Sequence, residues 1–222
     1  MPPRSDLKRQ RILTAARDVC AESGYEAARM DEIAHRAGVS KGTLYNFFAG
    51  KEALLIATVL STYQDYIVLL PGVENDTLDP RDRLAALAES LATGFEAIAQ
   101  HLLLTHQAWS VVLNSPAARQ ELLGTLRSIY SGYTETLQSI LAAGIERGVL
   151  RPDIDISVVA TNWLAIYDGL LYRAGFEEDE PDPAYTAAGV RTSLGWLIQQ
   201  LLVTDTARAD EKIDIDKESV RT

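Results

Sequence analysis

"AGVSKGTLYNFFAGKEALL", Ala37 to Leu55, decides how this chain folds, because it sets three glycines, two lysines and an aromatic cluster between two apolar-patterned segments. Gly38-Val39-Ser40 reads as a three-residue turn. Glycine accepts the left-handed conformation that ends a helix, Val39 plugs the junction, and Ser40 is a good N-cap. A helix of about two turns then starts at Lys41. Leu44 and Phe48, four apart, face inward, which leaves Lys41, Thr43, Asn46 and Phe47 outside. Ala49-Gly50 breaks this helix and Lys51 opens a longer one. The pattern is a helix-turn-helix.

Working outward, the segment before it holds two helices. The first is expected from about Asp6 to Glu22, with Ile12, Ala16, Val19 and Cys20 as its apolar stripe and Gly24 as its end. Met30, Ile33, Ala34 and Ala37 repeat that spacing in a short second helix that stops at Gly38. No segment alternates as a half-buried strand does, so the fold class is all-α.

Charge is divided unevenly along the 222 residues. Met1 to Lys51 carries 9 Lys/Arg against 6 Asp/Glu, a net of +3, whereas the remainder carries 12 against 25, a net of −13. Any polyanion is therefore expected at the N-terminus, since phosphate is repelled elsewhere. A 47% hydrophobic content supports a sizeable core. One cysteine, Cys20, permits no internal disulfide or zinc cluster, and no apolar run reaches bilayer length. A cytoplasmic protein with no membrane contact is expected.

The series "ILTAARDVCAESGYEA", "MDEIAHRAGVSKGTLYNFF" and "GKEALL", covering Ile12 to Leu55, resembles the TetR-type transcriptional regulators. That resemblance implies a homodimer. Each subunit would carry an N-terminal DNA-binding domain and a larger helical domain for a small effector. Repression is the family expectation. Two departures stand out: Arg29 replaces the usual threonine that caps the second helix and touches phosphate, and Phe47 replaces a common histidine or tyrosine.

The residues themselves support the DNA reading. A recognition helix needs one face apolar enough to hold it on its domain and another carrying donors and small contacts. Lys41, Thr43 and Asn46 are the base-facing candidates, for guanine acceptors, a thymine methyl and the adenine edge respectively. Ser40, Tyr45 and Lys51 suit phosphates. Arg29 is a candidate for a guanidinium contact to phosphate, and Phe47 for packing against sugar or a thymine methyl. The expected partner is a double-stranded, pseudopalindromic operator.

Beyond Lys51 a second helical domain is expected through Val203, so the organisation is 1–50, 51–203 and a polar tail 204–222 that is expected to be frayed or disordered. Asp79-Pro80 reads as an N-cap with proline at the first helical position, and Asn114-Ser115-Pro116 and Gly148 punctuate later helices. The last two helices, about Ile156 to Ala174 and Pro183 to Val203, are apolar around much of their circumference and are separated by the acidic stretch Glu177 to Asp182. Their apolarity predicts a partner helix pair, and the family resemblance implies a twofold four-helix interface; Gly169 and Gly195 are either positions of close approach or ordinary tolerated glycines.

An effector site is expected among aromatics at helical spacing: His106 and Trp109, Tyr130 and Tyr133, Trp163 and Tyr167. His101, Gln107, Asn162 and Asp168 are candidate polar tips. Plain core packing is the competing role for every one of these. No Gly-rich phosphate loop, Gly-x-Ser-x-Gly elbow or His-Glu-x-x-His is present, and three scattered histidines make neither a metal set nor a general acid-base pair. No enzyme, metal or cofactor is expected. A helical protein-interaction module with an idle helix-turn-helix is the alternative function.

Overall fold

The computed structural model describes residues 3–66, 73–175 and 182–203. Among these, nine α-helices carry the fold, and β pairing is confined to an isolated bridge between Leu150 and Leu202. The helices are α1 (Arg4–Ala27), α2 (Met30–Arg36), α3 (Lys41–Phe47), α4 (Lys51–Tyr66), α5 (Pro80–Gln100), α6 (Leu102–Asn114), α7 (Pro116–Glu146), α8 (Ile156–Ala174) and α9 (Ala187–Leu201).

Local signals set most helix ends. Asp79 accepts a hydrogen bond from the Arg81 amide with Pro80 at the first helical position, and Ser115 does the same for the Ala118 amide ahead of α7. Asp155 takes the amides of Ser157 and Val158. The first helix breaks at Gly24 as expected, where φ 77° and ψ 158° are not helical, and only a short further helical segment follows to Ala27. One end differs from expectation. The last helix is split: Pro183–Tyr185 forms a 3₁₀ turn, and Thr186 accepts from the Gly189 amide to start α9 afresh. Glu96 of α5 completes that cap by accepting from the Ala187 amide at 3.0 Å. The predicted ends of the fourth helix at Pro71-Gly72, the acidic stretch before Asp182 and the 204–222 tail lie outside the described residues.

The chain builds two hydrophobic cores. The smaller joins Ile12, Ala16 and Val19 of α1 to Ile33, Ala34, Leu44 and Phe48, closed by Leu54 and Ala57 of α4. The larger gathers α5, α7, α8 and α9 around Leu87, Phe95, Leu137, Trp163 and Leu194, with Leu55, Ile56, Val59 and Tyr63 of α4 among them. Helix α4 thus belongs to both cores, because Leu54 and Ala57 share one face of it while Leu55, Ile56, Val59 and Tyr63 occupy another. Burying an average core side chain stabilises by about 1.5–3 kcal/mol, so α4 is held firmly from two directions. A part-buried ion pair reinforces this: the Arg17 guanidinium donates to Asp65 at 3.0 Å and to the Ser61 hydroxyl at 3.1 Å. Arg191 of α9 is bidentate to Glu89 of α5, both contacts at 2.6 Å.

Candidate nucleic-acid interface and effector cluster

Two sites emerge, one at each end of α4. At the first, Gly38 has a φ of 64°, a left-handed conformation that costs other L-residues about 1–2 kcal/mol. It turns the chain from α2 into α3. Ser40 then caps α3, its hydroxyl accepting from the Thr43 amide at 3.1 Å and pairing with the Thr43 hydroxyl at 2.8 Å. Leu44 is fully buried beneath α3 and Phe48 is 5% exposed, so α3 rests on an apolar base. Ser40, Lys41, Tyr45 and Asn46 stand exposed on the opposite side, with Thr43 half-buried beside them. Phe47, expected outside, is half-buried and packs on the small core with Phe48 at 6.4 Å between ring centres.

The two lysines are already engaged. Lys41 donates to the Asp31 carboxylate of α2 at 2.7 Å, which holds the Asp31 carboxyl below its usual range and raises the lysine. Lys51 donates to the Glu26 carbonyl at 2.8 Å and lies 4.6 Å from the Tyr25 ring centre. Its ammonium therefore closes the C-terminal end of α1, with the dipole and the π face both favouring the cation. Arg29 precedes α2 at the N-cap position, exposed and without a side-chain cap bond.

The second site lies at the surface of the larger domain, where Asp168 is exposed and Tyr130 half-buried while Tyr63 and Tyr167 are buried beside them. Tyr130 of α7 donates to Asp168 of α8 at 3.0 Å. Tyr63 of α4, which also has a side-chain hydrogen bond with Thr105, and Tyr167 are near enough for the Asp168 charge to disfavour their ionisation. Burial pushes all three phenols up, so each remains a neutral donor at physiological pH. Burial likewise raises Asp168, partly offset by the Tyr130 hydrogen bond. The Tyr167 ring meets Phe95 edge-on at 5.9 Å, and its hydroxyl, on a side chain 1% exposed, has no hydrogen-bond partner among the described residues.

Of the aromatics expected to line an effector site, the structure gathers Tyr130, Tyr133, Trp163 and Tyr167. Tyr133 and Trp163 are committed to packing: the indole donates to the Tyr133 hydroxyl at 3.2 Å, which donates to the Leu87 carbonyl at 2.9 Å. His106 and Trp109 stand apart on the surface. His106 is exposed and meets Tyr172 edge-on at 5.8 Å, and Trp109 is 40% exposed. His101 turns its ring to the Ala97 carbonyl of its own segment. Sequence reasoning missed Tyr63, although it continues the i, i+4 series Leu55, Val59 on α4, and missed Phe95.

The expected partner face of α8 and α9 is narrower than the sequence suggests. Val159, Trp163, Leu171, Val190, Leu194, Ile198 and Leu201 are spent on the chain's own core. Val158, Tyr172 and Trp196 remain outward, the last 62% exposed. Positions where a side chain on Gly169 or Gly195 would stand meet nothing within 4 Å among the described residues. No described helix is long and apolar enough to cross a membrane.

These features coincide with similarity to known proteins. Residues 12–58 match the model of bacterial regulatory proteins of the tetR family, and residues 80–199 match the C-terminal model of BetI-type transcriptional repressors. The HTH-type transcriptional regulator YdeS of Bacillus subtilis, itself uncharacterized, is 27% identical over 183 residues, which is 82% of this chain and 86% of that one. A protein from Saccharomonospora viridis solved in complex with choline superposes with a TM-score of 0.65 at 24% identity, over 88% of this chain and 97% of that one. The regulator FadR from Bacillus subtilis, solved in complex with stearoyl-CoA, gives 0.58 at 24% identity, over 86% and 97%. Such proteins are DNA-binding regulators and not enzymes. Matched in both its helix-turn-helix segment and its larger helical domain, the chain belongs to the TetR family of transcriptional regulators.

Proposed function

We propose that the protein is a ligand-responsive repressor that binds a pseudopalindromic operator as a homodimer and leaves it when a small effector binds. The observation that carries this reading is the capped α3, seated on buried Leu44 and presenting Lys41, Thr43, Tyr45 and Asn46 outward. In the major groove, Lys41 would exchange Asp31 for guanine acceptors, Asn46 would pair an adenine edge, and Ser40 and Tyr45 would take phosphates. Arg29, at the start of α2, would add a guanidinium contact. Two copies joined through the outward faces of α8 and α9 would set their recognition helices about 34–36 Å apart. A dimer seated on a promoter blocks polymerase without further contacts.

The effector site is centred on Tyr63, Tyr130, Tyr167 and Asp168. Three tyrosine rings and a carboxylate suit a small, largely apolar molecule with a cationic head, the ring faces and the charge acting together. The choline complex of the Saccharomonospora protein is in keeping with this. The carboxylate would repel the phosphates of an acyl-CoA such as the one bound by FadR. Because Tyr63 sits on α4, which also closes the core under α3, an effector that displaces Tyr63 would shift the recognition helix. It must favour one conformation over the other, or nothing moves.

The test is fluorescence anisotropy on DNA flanking the gene, with Lys41→Ala as comparison. Saturable binding that is weakened by the substitution and reversed by choline would support the reading, while reversal by stearoyl-CoA alone would reassign the effector. If refolded, ligand-stripped protein selects no sequence from a randomised duplex library, the interaction-module alternative takes over.

A further inference from the structure

We infer that the outer face of the first turns of α1 is a second DNA-contact element, a sequence-blind phosphate clamp beside the recognition helix. Arg4 to Arg11 contains four cations and one carboxylate. Arg4, Lys8 and Arg11 recur at i, i+4 and i+7, so they share one helix face, spread over about 10 Å of axis. All three are exposed and none has an ion pair among the described residues. By contrast, the other cations of the small domain are occupied: Arg17 by Asp65, Arg36 by Glu22 and Glu32, Lys41 by Asp31, and Lys51 by the end of α1. Arg9 has no ion pair but lies over the Phe48 ring, and Arg29 already belongs to the recognition surface.

The three free cations line a groove. A concavity of about 680 Å³ runs between α1 and the end of α2, bounded by Arg4, Leu7, Lys8, Arg11 and the carboxylate of Asp18 on one wall and by Arg36 and Ala37 on the other, with Asp18 acting on Arg36 and leaving the three cations of the first turns uncompensated. Its inner end reaches the helix-turn-helix itself. The Arg11 Nη1 lies 3.7 Å from where a Cβ on Gly38 would stand, two residues before the cap of α3. The α1 face is also held in register with α3, since the Arg9 guanidinium lies 5.6 Å from the Phe48 ring centre on the opposite side of the helix. A duplex seated on α3 would thus bring its adjacent backbone along the groove, where three unpaired side-chain charges replace condensed counterions. Charge complementarity selects this occupant over an acidic peptide, because the groove is continuous with the DNA-facing turn. The inference rests on the DNA-binding reading above.

The experiment compares full-length wild type with the triple variant Arg4→Gln, Lys8→Gln, Arg11→Gln on operator and random duplexes over a salt series. A control variant, Arg81→Gln, Arg127→Gln, Arg151→Gln, removes the same charge from exposed positions elsewhere. If each side chain holds one phosphate, the slope of log K against log salt flattens by about 0.9 per lost contact, about 2.7 per subunit. Affinity then falls by the same factor for operator and random DNA, and the control keeps the wild-type slope. An unchanged slope in the α1 variant, or equal flattening in the control, overturns the clamp. Wild-type protein that binds no duplex at all overturns the DNA reading itself, a different failure. Circular dichroism checks that all three proteins keep their helices.

Discussion

The reading head and the sensing domain are built by contacts of different reach. Around α3, polar contacts join near neighbours, Ser40 to Thr43, Lys41 to Asp31 and Arg36 to Glu22, and the longer reaches of Lys51 to Glu26 and Arg17 to Asp65, 25 and 48 residues apart, tie this unit to α4. In the larger domain they cross the chain: Tyr133 to Leu87 is 46 residues apart, Tyr130 to Asp168 38, Ala187 to Glu96 91 and Arg191 to Glu89 102. A unit held by short-range caps keeps its shape with little help from elsewhere, as a rigid DNA reader must. A unit held by long-range polar pairs changes many helices together when one pair is altered, which is what an effector site requires. Helix α4 carries residues of both cores and is the place where the two designs meet.

The largest effect that should separate the regions comes from Trp163→Ala. The indole is fully buried and donates to Tyr133, so its loss should cost about 3–5 kcal/mol. Urea unfolding should show the loss in the global transition, because α5, α7 and α8 all pack there. If only a local, non-cooperative change appeared, the long-range character of that domain would be disproved.

Gly38→Ala tests the reading head by the opposite route. The φ of 64° penalises alanine by about 1–2 kcal/mol, and the added methyl meets only the tip of Arg11 at an ordinary 3.7 Å. The penalty is therefore backbone strain alone. It should weaken operator binding more than it lowers the midpoint of global unfolding, because strain in the turn is relieved by tilting α3. Ser40→Ala removes the acceptor of the Thr43 amide and should cost about 1 kcal/mol or less at this exposed cap, with hydrogen exchange rising first in α3.

These magnitudes also explain what was legible in the sequence. Asp79-Pro80, Ser115-Pro116, Gly38 and Ser40 announce their own geometry, because capping and left-handed turns depend on a few adjacent residues. Helices α2, α3 and α8 accordingly fall close to their expected bounds. Thr186 hid inside an apolar run, and its cap is completed by Glu96 from another helix, so the break before α9 was not visible locally. For the effector cluster, spacing along a helix tells which residues share a face but not what that face meets. His106 and Trp109 share a face on α6 that points outward, whereas Tyr63 continues the Leu55, Val59 series and what that face meets was settled only by the packing of α4 on α5, α6 and α7. The commitment of Lys51 to the Glu26 carbonyl needed the same tertiary knowledge.

The smallest stability effect, and the most informative about sensing, is expected from Tyr167→Phe and Asp168→Asn. The Tyr167 hydroxyl is buried without a partner, so deleting it should be neutral or stabilising by about 0.5–1 kcal/mol, while the edge contact of the ring with Phe95 is kept. Core tyrosines that donate a hydrogen bond, such as Tyr133, should behave in the reverse way. Asp168 supplies the pH axis. Burial lifts its folded pKa above the unfolded value of about 3.9, so its favourable contribution is complete below that value and is lost as pH rises through the lifted one. Asp168→Asn should therefore flatten stability across that acidic window. A cationic effector needs the ionised carboxylate, so its affinity should fall on acidification through the same window in wild type and lose that dependence in Asp168→Asn. Isothermal titration of choline from neutral to mildly acidic pH reads both signs. Affinity that is flat with pH in wild type would separate Asp168 from the effector, leaving the unpartnered Tyr167 hydroxyl to recognise a neutral acceptor instead.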